Sequence, residues 1–167
     1  LYFVESGALD GITHSNTLWL ERERGWNGML VEGNPNNVKG CLESGRTRSV
    51  LVDGCLSVTK GVSNVKFVLA GPLGGIADEI DPKHLKRMKG EIAQKEAWMK
   101  EDNVGTTVTV TCYPLNSLLD AVNRQVVDFW SLDTEGSELG ILRTVDFDKI
   151  MFGLLFIESN FPKQRKQ

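Results

Sequence analysis

Long apolar runs are absent from this chain: nothing in its 167 residues approaches the ~20 consecutive apolar positions that a membrane-spanning helix needs. Cysteine is scarce. Cys41, Cys55 and Cys112 are too few and too scattered to form a zinc site. There is no N-x-S/T sequon, which weakens a secreted reading only slightly. No sign of charge dominates, since 19 basic residues face 22 acidic ones for a net charge of -3. That balance gives no reason to expect nucleic acid, and it limits membrane association to segments outside this sequence. An initiator methionine and a signal peptide are also missing, and Leu1 already lies in an apolar run, so an excised domain truncated at both ends is expected. What is present, 41% hydrophobic and 25% charged, is the composition of one soluble globular domain over residues 1–167.

Apolar runs alternate with helical patterns along the chain. Strands are expected at Tyr2–Glu5, Gly28–Glu32, Ser49–Asp53, Val65–Ala70, Thr106–Cys112, Val126–Asp133 and Met151–Glu158. Runs such as LYFV, VLV and GLLFI are continuously apolar, as parallel strands covered on both faces are. Helices are expected at 15–25, 35–44, 82–101, 114–123 and 136–144. In the first, Leu18, Trp19 and Leu20 supply an apolar side, Ser15 or Asn16 a start and Gly25 an end. The fold class is therefore α/β, an open, doubly wound and mostly parallel sheet. Segment 71–105 stands apart as an insertion or lid candidate, with a flexible GPLGG loop and then a helix that Gly90 is positioned to interrupt. Its bases cluster at Lys83, Lys86, Arg87 and Lys89 with acids following, the reverse of what the helix dipole favours. Two readings of the cysteines stay open: three buried thiols, or a Cys55–Cys112 disulfide formed in an oxidising compartment.

The stretch FVESGALDG, residues 3 to 11, reads as a strand running into a glycine turn before a helix. Its glycines, Gly7 and Gly11, are spaced G-x-x-x-G, so neither the G-x-G-x-x-G dinucleotide fingerprint nor a P-loop is present. Glu5 and Asp10 would repel a phosphate. A nucleoside with a cationic centre and no phosphate suits them better, and S-adenosylmethionine is such a ligand. Glu32 closes the second strand where an acid takes a ribose diol, and Asp53 closes the third where it could receive an adenine amino group. His14, just past the turn, is a possible base, although a lone loop histidine is more often only exposed.

FVESGALDG, GWNGMLVEGNP, CYPLNSLLDAV, VDFWSLDTEGSELGILRTVDF and FIESN together resemble the FkbM-type methyltransferases, closest to the animal branch that includes the insect membrane protein Star. The resemblance covers nearly the whole chain. It implies a Rossmann-like class I methyltransferase fold, S-adenosylmethionine as cofactor and methyl transfer to a hydroxyl oxygen. By the same resemblance Glu5, Gly7, Ala8 and Gly11 form the first cofactor motif, Glu32 is the ribose acid, and Asp133, Glu135 and Gly136 form the acid-rich loop after the fourth core strand. Asp133 is expected to line the methionine end of the cofactor or to act as base. Glu135 and Glu138 are expected to position substrate or to cap the following helix. Glu158 and Asn160 are candidates for the acceptor pocket. Leu9 departs from the glycine or asparagine common at its position, and it is expected to narrow the pocket. A terminal helix at each end and a final hairpin of the usual fold are missing.

Two functions follow. The first is an O-methyltransferase acting on a small molecule, a sugar or a lipid-like hydroxyl, cytoplasmic if a plain enzyme. The second is a non-catalytic scaffold that binds a protein partner, in the secretory lumen or outside the cell, as the likeness to Star suggests. An NAD-dependent enzyme fails on glycine spacing.

Overall fold

A computed structural model of the chain describes residues 1–94 and 105–159. Its centre is a five-stranded, wholly parallel sheet built from β1 (Tyr2–Ser6), β2 (Asn27–Glu32), β3 (Ser49–Asp53), β8 (Val126–Leu132) and β9 (Met151–Ile157), in the order β3-β2-β1-β8-β9. Successive side chains of β1 and β2 point to opposite faces, and both faces are covered. Phe3 and Leu30 pack with Ala8 and Cys41 on one side. Val4, Met29 and Val31 pack with Trp130, Leu115 and Leu119 on the other. This two-sided burial is why these strands are apolar throughout.

The helices are α1 (Leu18–Arg24), α2 (Pro35–Glu43), α3 (Pro82–Gln94), α4 (Leu115–Ala121) and α5 (Glu138–Leu142). Ser15 Oγ accepts the Leu18 N–H at 3.0 Å at the start of α1, and Gly25 ends that helix in the left-handed region at φ 66°. The apolar side of α1 is not the expected one: Trp19 is exposed under the Arg24 guanidinium, and Glu21 is buried instead. Asn34 caps α2 through its side chain, with Pro35 at the first helical position.

Two of the expected strands do not join the main sheet. β5 (Ser63–Val68) and β7 (Thr107–Tyr113) pair antiparallel in a second sheet, flanked by β4 (Cys55–Leu56) and β6 (Gly75–Ile76), in the order β4-β7-β5-β6. Their alternating sequences (VTVTCY, NVKFV) suit a sheet with one face packed and one solvated. Cys55 and Cys112 are register partners and are joined as a disulfide, Cα to Cα 4.3 Å. The GPLGG stretch is ordered into a 3-10 turn (Gly71–Leu73) followed by β6, because Leu73 and Ile76 are buried in it. α3 runs unbroken through Gly90, anchored by Met88 against Ala70 and Leu73. Positions 95–101 of the expected helix lie outside the described residues. Among the described residues no helix is long and apolar enough to cross a membrane.

Candidate functional site

A cavity of about 1250 Å³ opens at the carboxyl edge of β1, β2 and β8, where open α/β sheets place their ligands. Ser6, Val31 and Ser131 lie in its floor, and the loops that follow these strands form its walls. The second sheet and α3 close one side through Phe67, Ile76, Arg87 and Glu91.

The turn after β1 is built to bring backbone close to backbone. The N–H groups of Gly7 and Ala8 both donate to the Val31 carbonyl, at 3.0 and 3.2 Å. Gly7 has φ 82°, and a Cβ there would overlap the carbonyl oxygen of Asp133. Leu9 sits in the left-handed region at φ 52°, a conformation that glycine or asparagine adopts with less strain. It is held there from both sides: its N–H donates to Glu32 Oε2 at 2.7 Å, and its carbonyl accepts from Cys41 Sγ at 2.9 Å. Burial, then the nearby Glu32, Asp10 and Glu5 charges, push the Cys41 thiol up to about 12, so it remains a neutral donor.

The acids that pointed to a cationic ligand are largely occupied by the protein itself. Glu5 lines the cavity, but its carboxylate accepts from Ser15 Oγ, Thr17 Oγ1 and the Asn16 N–H, with the Arg46 guanidinium 3.8 Å away. Asp10 caps its own turn by accepting the N–H groups of Ile12 and Thr13. Burial opposes ionisation of Asp10, but these bonds and the one from Thr13 Oγ1 outweigh it and hold the carboxyl below its usual range. Glu32, buried at the cavity wall, accepts from Leu9 and Asn34 amides and from Asn37 Nδ2. Beneath the turn, Arg46 binds Glu21 at 2.6 Å, the Gly11 carbonyl at 2.9 Å and Thr17 Oγ1 at 2.9 Å. Burial disfavours the Glu21 charge, yet bonds from Ser49, the Arg48 amide and Arg46 leave it below the usual carboxylate range.

The loop after β8 supplies the free acid chemistry. The Asp133 amide donates to the Ser6 carbonyl, tying the loop to β1. Glu135 takes the left-handed conformation at φ 56°. Gly136 lies so close to the Glu79 carbonyl that a Cβ would stand 2.9 Å from it. Glu138 folds back onto the amides of Thr134 and Gly136 at 2.8 and 3.1 Å; these precede α5, so it braces the loop and does not cap the helix as expected. One carboxylate oxygen each from Asp133, Glu138 and Glu158 falls within 4.8 Å of the others. Asp133 is pushed up to about 8, by burial first and then by its hydrogen bond with Glu158 and the repulsion of Glu158, Glu135 and Glu138. Glu135 is also pushed up to about 8, by burial first and then by Glu158, with Arg87 pulling the other way. Asp133 Oδ1 and Glu135 Oε2 are buried with no hydrogen-bond partner among the described residues, so two carboxyl oxygens of the cavity-lining acids are left unbonded.

Of the residues singled out in the sequence, Glu5, Gly7, Ala8, Glu32, Asp133, Glu135, Glu158 and His14 meet at this cavity. Gly11 does not: it packs behind the turn against Ser44 and Cys41. Asp53 is exposed and is not among the lining residues, because the chain turns at Gly54 into β4. Asn160 lies outside the described residues. Arg87, which lines the cavity from α3, and His84, buried on the same helix against Glu135 and not itself a lining residue, were missed. With Glu91 they recur at i, i+3 and i+7, a helical stripe that was legible within the run of bases.

The Methyltransferase FkbM domain family matches residues 5–167, nearly the whole chain. The chain belongs to that family. No curated protein and no solved structure matches it.

Proposed function

We propose that this FkbM-family chain binds S-adenosylmethionine in the cavity and transfers its methyl group to a hydroxyl oxygen of a small molecule, a sugar or a lipid. The observation that carries the reading is the set of acids lining one cavity, Glu32 beside the Gly7–Leu9 turn and Asp133 in the loop after β8, with Asp133 Oδ1 buried and without a hydrogen-bond partner. A ligand that is an ammonium and sulfonium at one end and a ribose diol at the other has a use for each. When bound, this cofactor supplies an electrophilic methyl group on a sulfur that becomes neutral on transfer. In this reading Glu32, at the cavity wall, receives the ribose hydroxyls. Ala8 lets the ligand approach the backbone, Gly7 lets the loop after β8 close against the turn, and Asp133 receives a cationic group. The volume leaves room for an acceptor beside a nucleoside. The acid-lined wall fits a neutral or cationic acceptor better than an anionic one.

Calorimetric titration of S-adenosylmethionine into the purified chain and into Glu32→Gln tests this. Binding in the micromolar range, weakened about tenfold or more in the variant as lost charge-assisted bonds of roughly 1.5–3 kcal/mol require, supports it. A folded chain that takes up no cofactor overturns it.

The disulfide favours one further possibility, that the domain works in an oxidising compartment, as a luminal or extracellular scaffold for a protein partner would. That observation bears on location. It does not argue against a working cofactor pocket.

A further inference from the structure

The second sheet takes no part in the parallel one, yet it supplies much of the apolar wall of the cavity. Phe67 of β5 and Ile76 of β6 are register partners, so their side chains lie side by side on one face of that sheet. Both are buried, both line the cavity, and both belong to the cluster that holds the Cys55–Cys112 bridge. Cys55 and Leu56 of β4, with Pro72 and Leu73 of the 3-10 turn, extend the same apolar lining.

The contacts around Glu32 put this wall beside the carboxylate. A Cβ on Gly33, the residue after Glu32, would stand 2.7 Å from Phe67 Cε2 and 3.3 Å from the Cys55 Cβ, so the ring edge lies directly on that backbone. The Gly54 amide, just before β4, donates to the Glu32 carbonyl at 2.9 Å. Asn37 Nδ2 bonds to Glu32 Oε1 at 3.3 Å and to the Gly71 carbonyl at 3.5 Å, which ties the turn to the same acid. Asp53, expected to meet a nucleobase, is exposed and away from the cavity.

We propose that the second sheet forms the nucleobase subsite of the cavity, with Phe67 as the side chain the purine packs against. This rests on the S-adenosylmethionine reading above. A ribose held through its diol by Glu32 carries its base on the carbon next to that diol, so the base must lie close to the carboxylate. A purine is flat and uncharged, and it gains from burial against an aromatic ring and aliphatic side chains. The loop after β8 presents Asp133 and Glu135 and suits the cationic end of the ligand. The cavity is thus divided by chemistry, with apolar surface from β5, β6 and the 3-10 turn on one side of Glu32 and acids on the other. The disulfide, in the cluster behind Phe67, holds the apolar side in place.

The test uses the whole chain saturated with S-adenosylmethionine and labelled with 13C in its phenylalanine rings. Intermolecular NOEs from the adenine H2 and H8 protons to the Phe67 ring are expected, and they disappear in Phe67→Leu. A bound purine that shows no NOE to Phe67 overturns the assignment. Calorimetry supplies a second reading. Phe67→Leu is expected to weaken S-adenosylmethionine and adenosine alike, by about fivefold or more, as a lost base–aromatic contact does. Val110→Ala, which trims the same cluster away from the cavity, is expected to leave both within about twofold. An equal loss in the two variants would be general softening of the sheet and overturns the contact. Should Phe67→Leu not fold, sequential assignment of the ring resonances in the unaltered chain leaves the NOE test in place. An unaltered, folded chain that binds neither compound overturns the methyltransferase reading and this subsite together. One that binds S-adenosylmethionine with its purine elsewhere overturns the subsite alone.

Discussion

Gly7 and Asp133, 126 positions apart in sequence, touch through their backbones: a side chain on Gly7 would occupy the place of the Asp133 carbonyl oxygen. This approach joins the turn after β1 to the loop after β8 and so sets the width of the cavity between them. Gly7→Ala adds an impossible contact to a backbone at φ 82°. It is expected to cost about 3 kcal/mol or more and to abolish cofactor binding, readable as a large drop in Tm and a silent titration.

Leu9 carries left-handed strain for which its neighbours compensate. Leu9→Asn is expected to be within about 1 kcal/mol of the parent, because asparagine tolerates this conformation. Leu9→Val, smaller and still apolar but β-branched, is expected to lose about 2 kcal/mol. Denaturant unfolding of the two variants checks the order. The reverse order would mean that side-chain packing and not backbone strain governs the position.

Arg46 stands at 2% side-chain exposure between Glu21 and Glu5. Removing it in Arg46→Met leaves buried carboxylates without their counter-charge, and a loss of about 3–5 kcal/mol is expected. Arg46→Lys is expected to recover only part of this, since one ammonium cannot reach Glu21, the Gly11 carbonyl and Thr17 together. Thermal unfolding of the three proteins measures it.

Stability is expected to fall as pH rises from about 5 to 8. Asp133 and Glu135, pushed up to about 8, keep protons in the folded chain that the unfolded chain has already released. Folding then takes up protons, and each rise in pH works against it, by roughly 1–3 kcal/mol across the interval. Asp133→Asn is expected to flatten the slope. On the acid side the sign reverses. Glu21 and Asp10, held low in the folded chain, lose their contribution as pH falls below about 4. A cationic ligand is expected to bind more tightly as pH rises toward 8, releasing protons that calorimetry in buffers of different ionisation heats will count.

The Cys55–Cys112 bridge spans a sequence separation of 57 that includes β5, β6 and α3. Opening it is expected to destabilise the fold by about 4 kcal/mol on the loop-entropy model. Thiol titration of the unfolded chain before and after reduction should find one cysteine, Cys41, and then three.

The sequence by itself determined the parallel sheet and the two loops that face the cavity. Continuous apolar strands have few ways to be buried on both sides, and a glycine turn after the first of them is a local signal. Glu32 was legible for the same reason, lying at a strand end, whereas Asp133, Glu135 and Glu158 were marked by the family resemblance. Tertiary structure alone decided the rest. Glu5 and Asp10 have the composition of ligand-facing acids, but hydrogen-bond partners up to 12 positions away occupy them, and no periodicity reveals a partner. The second sheet depends on long-range pairing between β5 and β7, which strand propensity cannot distinguish from joining the first. His84 reaches Glu135 only because the 3-10 turn at Gly71–Leu73 folds α3 against a loop some fifty residues further on. Local pattern fixes which face of an element is apolar. Which charged groups end up sharing one low-dielectric space is fixed only when distant segments close over it.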